Sequence, residues 1–295
     1  MESLSNLNFT GRMNTNSEST NNPPLTLVLG ANGKTGRRVA DRLAALGRPV
    51  RAGSRSAAIP FDWEDQSTWG AVVAGVDAVY VTYYPELAFP GAAEVVGAFA
   101  DVAVANGIRR IVLLSGRGEE GAQLAEEKVQ KSGADWTVVR CAFFNQNFSE
   151  TFVEPVRAGV LAIPAGDTRE PFLDADDIAD VVVAALTDDR HIGEVYELTG
   201  PRLLSFADAA AELSVARGAE VRYEPLEAQE YAAELISYGM PSDEAEPLAE
   251  LIAYVLDGHN EHLADGVRRA LGREPKDFSD YARQTAATGV WDPAA

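Results

Sequence analysis

Gly30, Gly33 and Gly36, in the heptapeptide GANGKTG, are the residues of this 295-residue chain whose spacing points most directly to chemistry. An apolar run at 25–30 (LTLVLG) precedes them, and a helical pattern over 34–46 follows. In such a strand–turn–helix unit the first glycine permits the tight turn. The second lets the backbone approach a pyrophosphate, and the third lets the helix pack closely on the strand. The helix then presents its N-terminal amides and positive dipole end to the phosphates. Lys34 and Thr35 add a cation and a hydroxyl at the same place, and Asn32 completes the turn. The spacing predicts a dinucleotide held at 30–36.

Which dinucleotide is read at the end of the next strand. A carboxylate about 20 residues past the glycines would hold the ribose 2′-hydroxyl of NAD. The segment 51–56 instead reads RAGSRS, without an acid. Arg55 and Ser56 suit a 2′-phosphate, because a guanidinium pairs with phosphate oxygens through two parallel hydrogen bonds. NADP(H) is the expected cofactor. Asp62 and Trp63 fall where the adenine ring should lie. A second motif is absent. None of the nine tyrosines has a lysine four residues later, and only Lys34, Lys128, Lys131 and Lys276 are present. The Tyr-x-x-x-Lys proton donor of many dehydrogenases is therefore missing.

The elements around these residues alternate. Strands are expected at 25–30, 49–55, 59–63, 76–84, 109–116, 135–140 and 194–198. Helices are expected at 34–46, 90–106, 119–132 and 176–187, and the pattern changes after Gly200. From there successive segments show apolar residues at helical spacing, nearly all ending in glycine. The fold class expected is α/β, a Rossmann-type doubly wound parallel sheet with a smaller, mainly helical C-terminal substrate lobe. The expected division is a leader at 1–22, an NADP-binding domain at 23–200 and a substrate-binding lobe at 201–295. Residues 1–22 are rich in Asn, Ser and Thr and read as disordered.

Composition narrows the partners. A balance of 45 acidic to 25 basic residues leaves −20, a field that repels nucleic acid. The apolar runs are strand-length, short of the roughly 20 residues that span a bilayer. One cysteine and three scattered histidines suggest no metal site. A cytoplasmic monomer or homodimer acting on a small molecule is expected.

The segments GANGKTG, SGADWTVVR, FFNQNFSE, PFLDADDIAD and YELTGP together resemble the NmrA-like branch of the short-chain dehydrogenase/reductase superfamily. FDWEDQSTW, ISYGMPSDEAEPLA and ALGREPKDFSDYA are similar to its festuclavine/agroclavine dehydrogenase-like members. The likeness spans about 25–291. It implies an NADP-binding reductase with the cofactor on Gly30 to Gly36 and Arg55. It places Tyr83, Tyr84 and Pro85 at the nicotinamide ribose, and Ser115 and Gly116 beside the nicotinamide. Phe143, Phe144, Asn147 and Phe148 would then wall the substrate pocket with Tyr84. Cys141 departs from the proline usual at that position.

The missing tyrosine–lysine pair selects among acceptors. Hydride addition to an iminium carbon gives an amine and needs no acid. Addition to a quinone gives a phenolate (phenol pKa about 10) that water can protonate, whereas a ketone yields an alkoxide that requires a strong donor. An iminium, quinone or activated C=C acceptor is therefore expected. Tyr84, Lys128, Ser115 and Asp174 are the candidate catalytic groups. Two other readings are a non-enzymatic NADP(H) sensor and an isomerase or ether-cleaving reductase with Lys128 as base. Truncation at Pro23 is expected to leave melting temperature and cofactor affinity unchanged, measured by thermal unfolding and titration calorimetry.

Overall fold

In the computed structural model, which describes residues 23–292, the alternating pattern becomes a parallel sheet with helices on both faces. The expected leader at 1–22 lies outside the described residues. The chain runs β1 (Thr26–Leu29), α1 (Gly36–Ala45), β2 (Val50–Gly53), α2 (Trp69–Val73), β3 (Ala78–Val81), α3 (Ala92–Ala105), β4 (Arg110–Gly116), α4 (Glu120–Lys131) and β5 (Asp135–Cys141). It continues through α5 (Asn147–Glu150), α6 (Val153–Ala158), β6 (Val160–Ile163), β7 (Arg169–Glu170), α7 (Ala175–Thr187), β8 (Glu194–Leu198) and β9 (Leu204–Ser205). It closes with α8 (Phe206–Arg217), β10 (Arg222–Pro225), α9 (Ala228–Ser237), α10 (Ser242–Val255), α11 (Gly266–Leu271) and α12 (Phe278–Ala286).

Six strands form the main sheet in the order β2-β1-β3-β4-β5-β8, each pair parallel. β1 and β3 are buried along their whole length, as strands covered on both faces must be. Val39 and Leu43 of α1 join Ile178 and Val182 of α7 over one face. Residues of α2, α3 and α4, among them Trp69, Phe99 and Val129, cover the other. The chain moves one way from β1 to β2 and the other way from β1 to β3. The crevice at the C-terminal ends of β1 and β3 is thus the switch point where open α/β sheets take ligands.

The strand expected at 59–63 does not form. Pro60 has no N–H to give a ladder, and the Asp62 N–H is taken by Thr68 Oγ1 at 3.1 Å. Both sides of β1 are already occupied by β2 and β3. The segment stays irregular, and Phe61 and Trp63 pack edge-on against Phe99.

A third core gathers residues from two separated stretches, Phe148, Phe152 and Phe172 with Phe206, Phe278 and Trp291. Trp291 Nε1 donates to the Phe148 carbonyl at 2.9 Å and ties the end of the chain to it. The mainly helical tail also contains a strand, β10, paired in parallel with β6 about sixty residues earlier. Its sequence, RYEP, is short and largely exposed, so no alternating pattern marked it. Among the described residues no helix is long and apolar enough to cross a membrane.

Gly36 is where α1 meets β1, and a Cβ there would fall 2.1 Å from the Gly30 carbonyl oxygen. Gly36→Ala is expected to cost about 1–3 kcal/mol by overpacking and to lower the melting temperature together with dinucleotide affinity. Gly70→Ala, where a Cβ meets nothing within 4 Å, should lower neither.

Candidate active site

The turn after β1 is shaped for a ligand to come close. Gly30 has φ +62°, in the left-handed region, and a Cβ there would lie 2.4 Å from Thr82 Oγ1. The Gly33 N–H donates to the Gly30 carbonyl at 2.8 Å and closes the turn. Among the described residues no backbone carbonyl accepts from the N–H groups of Asn32, Lys34 or Thr35. An anion at this point would meet free donors and the positive end of α1 together. Thr35 is itself buried, its Oγ1 accepting from Tyr80 Oη at 2.9 Å. Its hydroxyl therefore braces the turn against β3. Lys34 Nζ donates to Thr151 Oγ1 at 2.8 Å, across to the segment after α5. Burial lowers the Lys34 ammonium from its usual range, against the pull of Glu150 and Glu86.

Two cavities open on the switch point. The first is lined by Gly30, Ser54, Arg55, Asp62, Trp63, Glu64, Thr82 and Tyr84. The second is lined by Lys34, Tyr83, Glu86, Ser115, Gly116, Glu119, Cys141, Phe143, Phe144 and Asn147, with Leu251, Ile252 and Val255 of α10 opposite. Of the expected cofactor residues, Gly30, Arg55, Asp62 and Trp63 line the first cavity and Lys34, Tyr83, Ser115 and Gly116 the second. Asp62 carries out local work: its Oδ1 accepts from the Glu64 N–H and its carbonyl from Trp69 Nε1. Trp63 Nε1 donates to the Thr82 carbonyl at 3.2 Å, and its ring sits 5.1 Å from Tyr83. Ser56 does not line the cavity; its Oγ lies 3.4 Å from Ser54 Oγ, and Ser54 takes that place.

The structure moves several expected catalytic and pocket residues elsewhere. Tyr84 belongs to the rim of the first cavity, 71 % exposed, while its neighbour Tyr83 enters the second. Lys128 lines neither cavity: its stem lies along α3, with Cβ 3.1 Å from where a Gly97 Cβ would be. Asp174 caps α7, its Oδ1 accepting from the Asp176 N–H at 2.8 Å and from Gln146 Nε2 at 3.1 Å. Phe148 is wholly buried in the third core and lines neither cavity. Ser115 does line the second cavity, but its proton is committed to Glu126 Oε1 at 2.6 Å. Arg140 holds that carboxylate through Nη2 (2.6 Å) and Nε (2.9 Å). Cys141, the departure from the usual proline, is buried at the cavity floor, and burial raises its thiol well above the ordinary range.

The residues missed from the sequence are the two carboxyls of the second cavity, Glu86 and Glu119. Burial raises both, with Lys34 opposing the shift at Glu86. Their one sequence signal is position. Each follows the C-terminal end of a sheet strand, where ligands of this architecture sit.

Residues 30–189 match a protein family described as NAD(P)H-binding. An uncharacterized oxidoreductase of Bacillus subtilis is 31% identical over 279 residues, covering 90% of this chain and 97% of that protein. The agroclavine dehydrogenase of Claviceps fusiformis is 32% identical over 284 residues, covering 90% and 98%. The crystal structure of an NADPH-dependent quinone oxidoreductase from Escherichia coli, complexed with NADPH, superposes with a TM-score of 0.71. It covers 88% of this chain and 99% of that one at 22% identity, a likeness of fold.

With Lys128 on the outer helices, Lys128→Ala is expected to leave cofactor affinity and turnover within a few-fold of wild type. A loss of the about 10²–10⁴-fold typical of a missing general acid or base would return Lys128 to the site; steady-state kinetics with saturating NADPH measure it.

Proposed function

The chain belongs to the NAD(P)H-binding family and is an NAD(P)H-dependent oxidoreductase, and on that premise we propose that it transfers hydride from NADPH to a conjugated or cationic small molecule. The observation that carries this reading is the second cavity. It adjoins the glycine turn, has an aromatic wall at Phe143 and Phe144, and holds two carboxyls against one ammonium. Flat conjugated molecules match such a wall, and the charge balance suits a cation or a neutral molecule over an anion.

The turn fits a dinucleotide, because a Cβ at Gly30 or Gly36 would fill its cradle and the donors of the turn are free. Gly30, Gly33 and the amides up to Gly36 would hold the pyrophosphate, Trp63 and Asp62 the adenine end, and Tyr83, Ser115 and Gly116 the nicotinamide end. Bound there, the reduced cofactor supplies one hydride. The protein's own part is to hold the acceptor against Phe143, Phe144 and Asn147, and to exclude water with the apolar face of α10.

The preference for the phosphorylated cofactor is assigned to Arg55 and Ser54, which line the first cavity, with no acid at the end of β2. Arg55→Ala is expected to weaken NADPH by about 1.5–3 kcal/mol, the value of a lost charged hydrogen-bonding partner, and to spare NADH. Titration calorimetry with both cofactors checks this, and equal losses would remove Arg55 from the reading of the 2′-phosphate. The reaction itself is tested with NADPH and a panel of iminium ions, quinones and enones, followed at the nicotinamide absorbance. Tight NADPH binding without oxidation by any of them would favour a cofactor sensor.

A further inference from the structure

Of the two carboxyls in the second cavity, Glu119 reaches the strand ends where an acceptor must lie. Its carboxyl rests on the bare Cα of Gly116: a Cβ there would fall 1.9 Å from Glu119 Oε1 and 2.0 Å from its Cδ. Gly116 and Cys141 are register partners across β4 and β5, and both line the cavity with Phe143. Glu119 is also the N-cap residue of α4, yet its side chain makes no capping hydrogen bond. The free amides of a helix start attract a carboxylate. This one turns away from them and toward the cavity, and among the described residues nothing hydrogen-bonds or ion-pairs with it.

Its surroundings favour the protonated form. Glu86 faces it from the segment after β3, and Lys34 of the glycine turn acts on Glu86 through its charge while its Nζ donates to Thr151. Glu126 faces it from α4 and is itself paired with Arg140 of β5 at 2.6 Å. The buried thiol of Cys141 looks on from β5. α10 presents apolar Leu251, Ile252 and Val255, and His259 lies against neighbouring Gly118. Burial, reinforced by the negative Glu86 and Glu126, pushes the Glu119 carboxyl up to about 7.

We propose that Glu119 is the proton donor of this site, serving acceptors whose reduction leaves a basic oxygen or nitrogen. The assignment rests on the reductase reading above. It fills the place that Tyr84, Lys128 and Asp174 leave by lying elsewhere and that Ser115 leaves by donating to Glu126. For an enone, a hydride arriving at the β-carbon forms a C–H bond, the C=C electron pair shifts to the bond between the α-carbon and the carbonyl carbon, and the C=O π pair moves onto the oxygen. The Glu119 O–H bond then breaks and its proton passes to that enolate oxygen. The enol so formed tautomerises to the ketone, losing the oxygen-bound proton to water as the α-carbon gains one from water. The carboxylate regains a proton from water at the cavity mouth. One enone, one NADPH and one proton become one saturated ketone and one NADP+. An iminium ion needs no such proton, because the hydride alone neutralises it.

The test compares wild type with Glu119→Gln, using NADPH and an enone or an N-alkyl iminium ion across neutral pH. Wild-type enone reduction should fall as pH rises through about 7, since the protonated carboxyl is the competent form. Glu119→Gln should lower enone reduction by about 10²-fold or more and remove that pH dependence, while iminium reduction changes little. Glu119→Asp, which keeps the acid one methylene further back, should recover part of the pH profile. Independently of turnover, ¹³C NMR of protein labelled at the glutamate carboxyls should show a resonance that is absent from Glu119→Gln and titrates near 7. Equal losses for enone and iminium, or titration at the ordinary glutamate value of about 4.3, would overturn the role of Glu119 and leave the reductase standing. Failure of wild type to oxidise NADPH with either acceptor would remove the reductase reading, and this proposal with it.

Discussion

Where β1 ends, the first helix starts almost on top of the strand, and β3 passes alongside. This approach is possible because residues 30 and 36 carry no side chain: a methyl group at either would collide with Thr82 or with the Gly30 carbonyl. The rest of the site inherits its position from that contact. Both cavities open from the same crevice, one toward the end of β2 and one toward the ends of β4 and β5. The N-terminus of α1 lies between them, which is where a pyrophosphate has to be for a dinucleotide to span both.

Charge holds the upper part of the molecule in place around this crevice. Arg273 and Lys276, in the segment between α11 and α12, reach back to Asp177 and Asp176 on α7, each at 2.6 Å. Arg42 of α1 binds Asp176 and Asp180 of the same helix at 2.9 and 2.6 Å. Lys276 and Arg42 thereby keep the Asp176 carboxyl at about 2 although its burial acts the other way. Lys34 reaches across to Thr151, and Arg37 to Glu150. In a chain with twenty more acidic than basic residues, many cations are engaged in such contacts. The acids in the second cavity are raised first by burial; Lys34 opposes the shift at Glu86, whereas the charges of Glu86 and Glu126 add to it at Glu119.

The cavity wall is made by the third core. Phe143 faces the cavity on one side and packs on Phe172 and Phe206 on the other, at 6.0 and 5.6 Å between ring centres. Its N–H donates to Glu170, a buried carboxyl that burial also raises to about 7. The wall of the second cavity and the packing of the third core are therefore coupled through one aromatic ring. A substitution in that core distant from the crevice can alter the pocket by shifting Phe143.

The sheet, its helices and the dinucleotide turn were legible in the sequence because their signals are local. A buried parallel strand reads as an apolar run, a covering helix as a 3.6-residue period, and the turn as glycines at fixed spacing. The residues at 59–63 read as a strand but stayed irregular, since Pro60 lacks an N–H and the Asp62 N–H is taken by Thr68. β10 lacked a pattern because its residues are largely exposed and its partner β6 is remote in the chain. The same limit governs the site. Tyr83 and Tyr84 are adjacent in sequence yet belong to different cavities, and Lys128 lies on the α4 face that packs against α3. Glu119 has no motif at all; its meaning comes from Gly116, Glu86 and Cys141, brought to it by three different strands. Amino-acid sequence determined by itself the fold class and the position of the glycine turn, since each depends on neighbours within a few residues. Which acids and aromatics face the second cavity was decided by tertiary structure alone, because burial and proximity across strands are properties of the packed chain.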